Sequence, residues 1–162
     1  KVKTSRFLSI FDPNIPSNFS RIAMWTTGFE IFKDYPFFGV GDISLEKTYR
    51  KYKKDYYKEV QGHMHNNYVH ILVILGAFGF IAVMFLLIKI FVIDIKIYKY
   101  IQDEKFTSSF ALGTLGSFVS FLTAGLTEWN FGDHEIITMV WFITGLNFSI
   151  YRLCRIEKDN QN

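Results

Sequence analysis

Residues 69–93 contain a single normally charged side chain, Lys89, and one histidine, His70. At about 1.5 Å per residue this run is roughly 37 Å long, enough to cross a hydrocarbon core of about 30 Å with some tilt. A soluble core in a chain of 162 residues has no use for such a stretch. The mean hydropathy of +0.14 averages over two unlike regions and does not describe one soluble domain. The fold is therefore organised around a membrane.

Two further apolar stretches follow, at 108–127 and 136–151. In the first, Gly113, Ser117, Ser120 and Ala124 form a stripe of small residues of the kind that favours close helix packing in lipid. The connection 94–107 carries Lys96, Lys99 and Lys105, and the tail 152–162 carries Arg152, Arg155 and Lys158, whereas 128–135 has no Lys or Arg. The positive-inside rule then places 94–107 and 152–162 in the cytoplasm and 128–135 outside, with residues 1–68 outside as well. The fold class expected is all-α and integral to the membrane: an external loop region with short amphipathic helices, then three transmembrane helices. The chain opens on Lys1 without an initiator Met or signal peptide, and it reads as the C-terminal part of a longer polypeptide.

Within the loop region, Asp12, Pro13, Asn14, Pro16 and Ser17 form a cluster of breakers. Ser20 is the expected cap of a helix from Arg21 that ends at Asp34, Tyr35 and Pro36, with Ile22, Trp25, Phe29 and Phe32 as its apolar stripe. Gly28 weakens that helix by roughly 1 kcal/mol relative to Ala, so it should lean on a neighbour. Residues 36–41 read as a turn with aromatic anchors. A second helix is expected from Leu45 to Val60, with Tyr49, Tyr52 and Tyr56 on one face and Arg50, Lys51, Lys53, Lys54 and Lys58 on the others. It suits either a solvated surface or the lipid headgroup level.

Asn66 is a good N-cap for the first span, which puts His65 just outside its first turn. The positive end of the helix dipole disfavours imidazolium there, and a neutral imidazole is what a general base requires. Position alone equally allows a polar residue at the membrane surface. His63, His65 and His70 raise the question of a metal. His63 and His65 share a face only if extended, His70 lies more than a turn into the helix, and no carboxylate falls between them, although Glu128, Asp133, His134 and Glu135 could join from the outer loop. No metal or other cofactor is expected. Arg21 precedes Trp25 by one turn and projects on the same side; it is either solvated or a bidentate grip on phosphate oxygens. Glu128 and Asp133 either mark the water boundary or orient an imidazole or pair with Arg21. His70, inside the apolar run, is expected to hydrogen-bond a neighbouring helix, and Gly76 and Gly79 to serve helix packing.

Cys154 is the only cysteine, which excludes an intrachain disulfide and a cysteine-based zinc site. The net charge of +3 is spread over basic residues interleaved with acids, so no nucleic-acid partner is expected. A transporter or channel would need ionisable groups facing a pathway at mid-membrane depth, and only Lys89 and His70 qualify, both towards span ends. That reading, or a structural membrane subunit without catalysis, is the alternative to an enzyme.

Taken together, Arg21 with Trp25 four residues on, the residues 36–41, His65 and Asn66 followed after nine intervening residues by Gly76 and Gly79, and Glu128 to Asp133 with Glu135 resemble the C-terminal portion of the O-antigen ligase and polymerase family. The resemblance spans most of residues 20–150. It implies a polytopic bacterial inner-membrane glycosyltransferase that moves a glycan from an undecaprenyl-diphosphate carrier to an acceptor hydroxyl at the periplasmic face. The acceptor is a lipid A-core sugar for a ligase and a growing repeat unit for a polymerase. His65 would be the general base, and Arg21 would stabilise the departing diphosphate without a metal. Trp25, Asn66, His63, Glu128 and Asp133 would bind substrate or support these two. Membrane lipid and the preceding transmembrane helices of the same polypeptide are the other implied partners, and the segment alone is expected to be inactive.

Overall fold

The computed structural model describes residues 15–54, 62–102 and 104–161. Two short helices, α1 (Pro16–Asp34) and α2 (Asp42–Tyr52), precede three long apolar ones, α3 (Asn67–Tyr100), α4 (Lys105–Ala124) and α5 (His134–Gln161). A 3-10 turn, Asn130–Gly132, lies before α5. All three long helices have the length and composition to cross a membrane.

Helix α1 begins earlier than Ser20 suggests. Pro16 stands in its first turn, where a missing N–H costs nothing and the fixed φ already suits a helix, so the expected breaker is a starter. Its buried face also differs from the expected stripe: Ala23, Met24, Thr27, Gly28 and Ile31 point inward, while Ile22 and Phe29 are exposed. Gly28 takes part in this face because the neighbour approaches closely there. A Cβ on Gly28 would stand 3.1 Å from Val69 and 3.2 Å from Val73, so the helix-weakening glycine is what admits α3. Helix α2 ends at Tyr52, and Tyr56, Lys58 and Val60 lie outside the described residues. Tyr49 is buried, whereas the Tyr52 hydroxyl donates to Asp34 Oδ2 at 2.5 Å.

The chain divides into two compact units. The first, Lys1–Ile81 with Gly125–Trp129, has a core of Met24, Ile31, Leu45, Tyr49, Met64, Val69 and Val73. Each such side chain contributes roughly 1.5–3 kcal/mol on burial. The second, Ala82–Ala124 with Asn130–Asn162, packs Leu87 and Ile90 on Phe118, and Ile97 and Ile101 on Ala111. A buried amide, Asn147 Nδ2, donates to Asp94 Oδ1 at 2.9 Å in that unit. The packed face of α4 is Ala111, Thr114, Phe118 and Phe121. The expected small-residue stripe is exposed instead, and a Cβ on Gly113 would meet nothing within 4 Å.

Helix α3 is broken. Gly76 has φ 67° and ψ −170°, outside the helical region, so carbonyls before it and N–H groups after it lose their intrahelical partners. The turn at 36–41 replaces them. Val40 N–H donates to Val73 O (3.0 Å) and Gly41 N–H to Ile74 O (2.9 Å); Ala77 N–H donates to Pro36 O (2.7 Å) and Phe78 N–H to Phe37 O (3.3 Å). Backbone meets backbone here: a Cβ on Gly76 would lie 2.4 Å from Phe37 C, and one on Gly39 2.5 Å from Val73 O. Gly76 is thus a break filled by a turn, a role different from the expected helix-packing contact.

Candidate active site

The first unit gathers the start of α3, the segment 63–66, α1 and residues 125–129. Asn66 caps α3 as its side chain suggests: Oδ1 accepts from the N–H groups of Tyr68 and Val69, both at 2.9 Å. Its Nδ2 donates to Leu126 O at 2.7 Å, and Asn67 N–H donates to Gly125 O at 2.7 Å. One capping residue therefore starts the helix and also holds the residues leading to Glu128.

Trp25 Nε1–H donates to Met64 O at 2.9 Å, tying α1 to the peptide before His65. One turn earlier, Arg21 Nη2 donates to Glu128 Oε1 at 2.8 Å. The other oxygen of that carboxylate, Oε2, lies 3.1 Å from His65 Nδ1. Glu128 thus bridges the guanidinium and the imidazole, which are far apart in sequence. In the neutral ring, Nδ1–H donating to the carboxylate leaves the lone pair on Nε2, the tautomer a general base uses. The carboxylate is about half exposed. At that exposure an ion pair adds at most about 1 kcal/mol to stability, so its value is positional.

His65 has φ 45°, the one non-glycine positive φ among the described residues. Such a conformation costs of order 1 kcal/mol or more and is found where surrounding contacts impose it. Here the clamp on Met64, the cap at Asn66 and the bond to Glu128 supply that constraint.

Burial pushes the Glu128 carboxyl up, but the hydrogen bonds from His65 and Arg21 and their charges outweigh it and leave it below the usual carboxylate range. His63 meets the His65 ring edge-on at 4.2 Å between centroids. Burial first, then the neighbouring His65, lowers its pKa against the opposing pull of Glu128. His70 is fully buried, stacks on Trp129 at 3.6 Å between centroids, and places Nε2 3.3 Å from Asp42 Oδ1. By holding Trp129 it anchors the residue next to Glu128, a link that no sequence spacing announces. Asp133 Oδ1 accepts from the N–H groups of Glu135 and Ile136, capping α5. Among the described residues no three of His, Cys, Asp and Glu are grouped as a metal ion requires.

The comparisons with known proteins bear on this arrangement. A family model described as O-antigen ligase matches residues 5–84, about half of the chain. That stretch contains Arg21, Trp25, the turn at 36–41, His65, Asn66 and the Gly76 break, whereas Glu128 falls beyond it. Nothing matches among the curated proteins or among the solved structures. Through this domain and its three long apolar helices, the chain belongs to the O-antigen ligase family, multi-pass inner-membrane proteins of glycan transfer.

Proposed function

We propose that Arg21, Glu128 and His65 carry out metal-independent transfer of a glycan from an undecaprenyl-diphosphate carrier to an acceptor hydroxyl at the periplasmic face. The observation that carries this reading is the Glu128 carboxylate shared between His65 Nδ1 and Arg21 Nη2. His65 Nε2 takes the proton of the acceptor hydroxyl as its oxygen attacks the anomeric carbon. The bond from that carbon to the diphosphate oxygen breaks, and undecaprenyl diphosphate leaves with the bond's electron pair. Glu128 holds the imidazole in the base tautomer and stabilises the imidazolium that forms. Arg21, held at the same carboxylate, offers its remaining N–H donors to the departing diphosphate, a task suited to a planar fork of fixed charge. Trp25 and Asn66 fix the backbone on either side of His65, and His63 packs against its ring. The acceptor is a lipid A-core sugar in a ligase and a growing repeat unit in a polymerase. Preceding transmembrane helices of the same polypeptide complete the site.

The test is His65→Ala in the full-length protein, scored by surface polysaccharide on gels alongside the membrane content of the variant. Loss of transfer with normal insertion is expected; normal transfer removes the base assignment. Deletion of the gene separates the two acceptors. Core capped with single unpolymerised units identifies a polymerase, and free lipid-linked polymer a ligase.

A further inference from the structure

The break at Gly76 separates two stretches of α3 with opposite surroundings. Before it, Val69, Ile71 and Val73 are buried, as are the polar Asn67 and His70. Most of that stretch packs on protein, although Leu75 is exposed, and His70 Nε2 lies 3.3 Å from Asp42 Oδ1. After it, Phe78, Ile81, Phe85, Ile88 and Val92 are all exposed and recur every three or four residues, an apolar stripe along one side of the helix. A soluble surface does not carry such a stripe; on a spanning helix it faces acyl chains or another helix. Residues 77–93, ending before the connection assigned to the cytoplasm, rise about 25 Å, at the short end of the roughly 17–25 residues that span a membrane.

The turn at 36–41 is attached at the upper end of this stripe. Its N–H groups at Gly39, Val40 and Gly41 are all paired, the last two with carbonyls freed by the break, so they meet the lipid edge already satisfied. Its two aromatic rings face outward. Phe37 and Phe38 are 60% and 79% exposed, yet both lie against Phe78, at 5.8 and 5.6 Å between ring centroids. They extend the apolar stripe of α3 sideways at the level where it begins.

We propose that this turn is a membrane anchor: it seats Phe37 and Phe38, with Phe78, in acyl chains at the hydrocarbon edge, and that edge lies at Gly76 rather than near Val69. Residues 67–75 then stand outside the hydrocarbon. The cluster of His65, Glu128 and Arg21 sits no farther than about 15 Å from the edge, the rise of those turns. This level is independent of the reaction assigned to the site.

The experiment places nitroxide labels on the full-length protein carrying Cys154→Ser, reconstituted in phosphatidylethanolamine and phosphatidylglycerol vesicles. Collision with oxygen and with a water-soluble nickel chelate is read for labels at Phe38→Cys, Ile81→Cys, Phe85→Cys and Lys47→Cys. The expected result is a Phe38 label relaxed by oxygen over nickel, with depth increasing from 38 to 81 to 85, and a Lys47 label relaxed by nickel. A Phe38 label as open to nickel as that at Lys47 puts the turn in water and overturns the proposal. A Phe38 label deeper than that at Phe85 makes the turn re-entrant, and one shielded from both reagents shows a protein cover; either result overturns it too.

Discussion

Trp25 donates its indole N–H to the carbonyl of Met64 while Arg21, one turn earlier on the same helix, holds the carboxylate that bonds His65. A single face of α1 thus grips His65 twice, once through the backbone before it and once through the partner of its ring. Trp25→Phe keeps the apolar bulk and removes the donor. A buried acceptor left unpaired costs about 1–3 kcal/mol. A drop in thermal midpoint is expected, with kcat falling more than KM rises because the acceptor hydroxyl still binds; an unchanged kcat would show that the clamp does not position the base.

Glu128→Gln retains shape and removes the charge. Transfer should fall by about 10²-fold or more, since an amide neither fixes the base tautomer nor stabilises imidazolium. A rate assay on membranes with lipid-linked donor checks it.

The same residue sets an acid-side signature. The Glu128 pKa is depressed in the fold, so its stabilising contribution is present above the usual glutamate value of about 4.3 and is lost as pH falls through the lowered one. The difference in thermal midpoint between the protein and Glu128→Gln should be flat above about pH 5 and shrink towards pH 3. A difference that grows on acidification would reverse the sign argued here.

Arg21→Lys preserves charge and loses the fork that holds the Glu128 carboxylate and is proposed to grip the diphosphate as well. A decrease of about 10²-fold in transfer is expected, comparable to removal of one transition-state donor. Wild-type rates for this variant would remove Arg21 from the site.

Glycines at the break and on the open helix face should behave in opposite ways. Gly76→Ala forces a Cβ into the backbone of Phe37 at a positive φ, and a loss of roughly 3 kcal/mol or more is expected, visible as protease sensitivity in membranes. Gly113→Ala meets nothing within 4 Å and should be neutral or stabilising by up to about 1 kcal/mol.

Much of the frame is local and was legible. The presence of three long apolar helices follows from the apolar runs, because the solvent outside a membrane helix is itself apolar. Asn66 announced its cap because capping involves N–H groups only two and three residues away. The end of α1 at Asp34 was equally local, set by the residue before Pro36. What local pattern could not supply was direction. The stripe Ile22, Trp25, Phe29 and Phe32 is helical in period, but which face turns inward depends on how near the neighbour comes, and Gly28 lets α3 in.

By itself, then, the amino-acid order determined an all-α membrane protein and the cap at Asn66, and it supplied residue types that suit the proposed base and phosphate grip. Only the tertiary structure decided that Glu128 joins Arg21 and His65, that His70 holds Trp129 beside it, and that the turn at 36–41 closes the break at Gly76. The physical reason is shared: each is a contact made by residues distant in the chain. Chain order specifies which groups need partners, and packing of the apolar faces specifies which partners arrive.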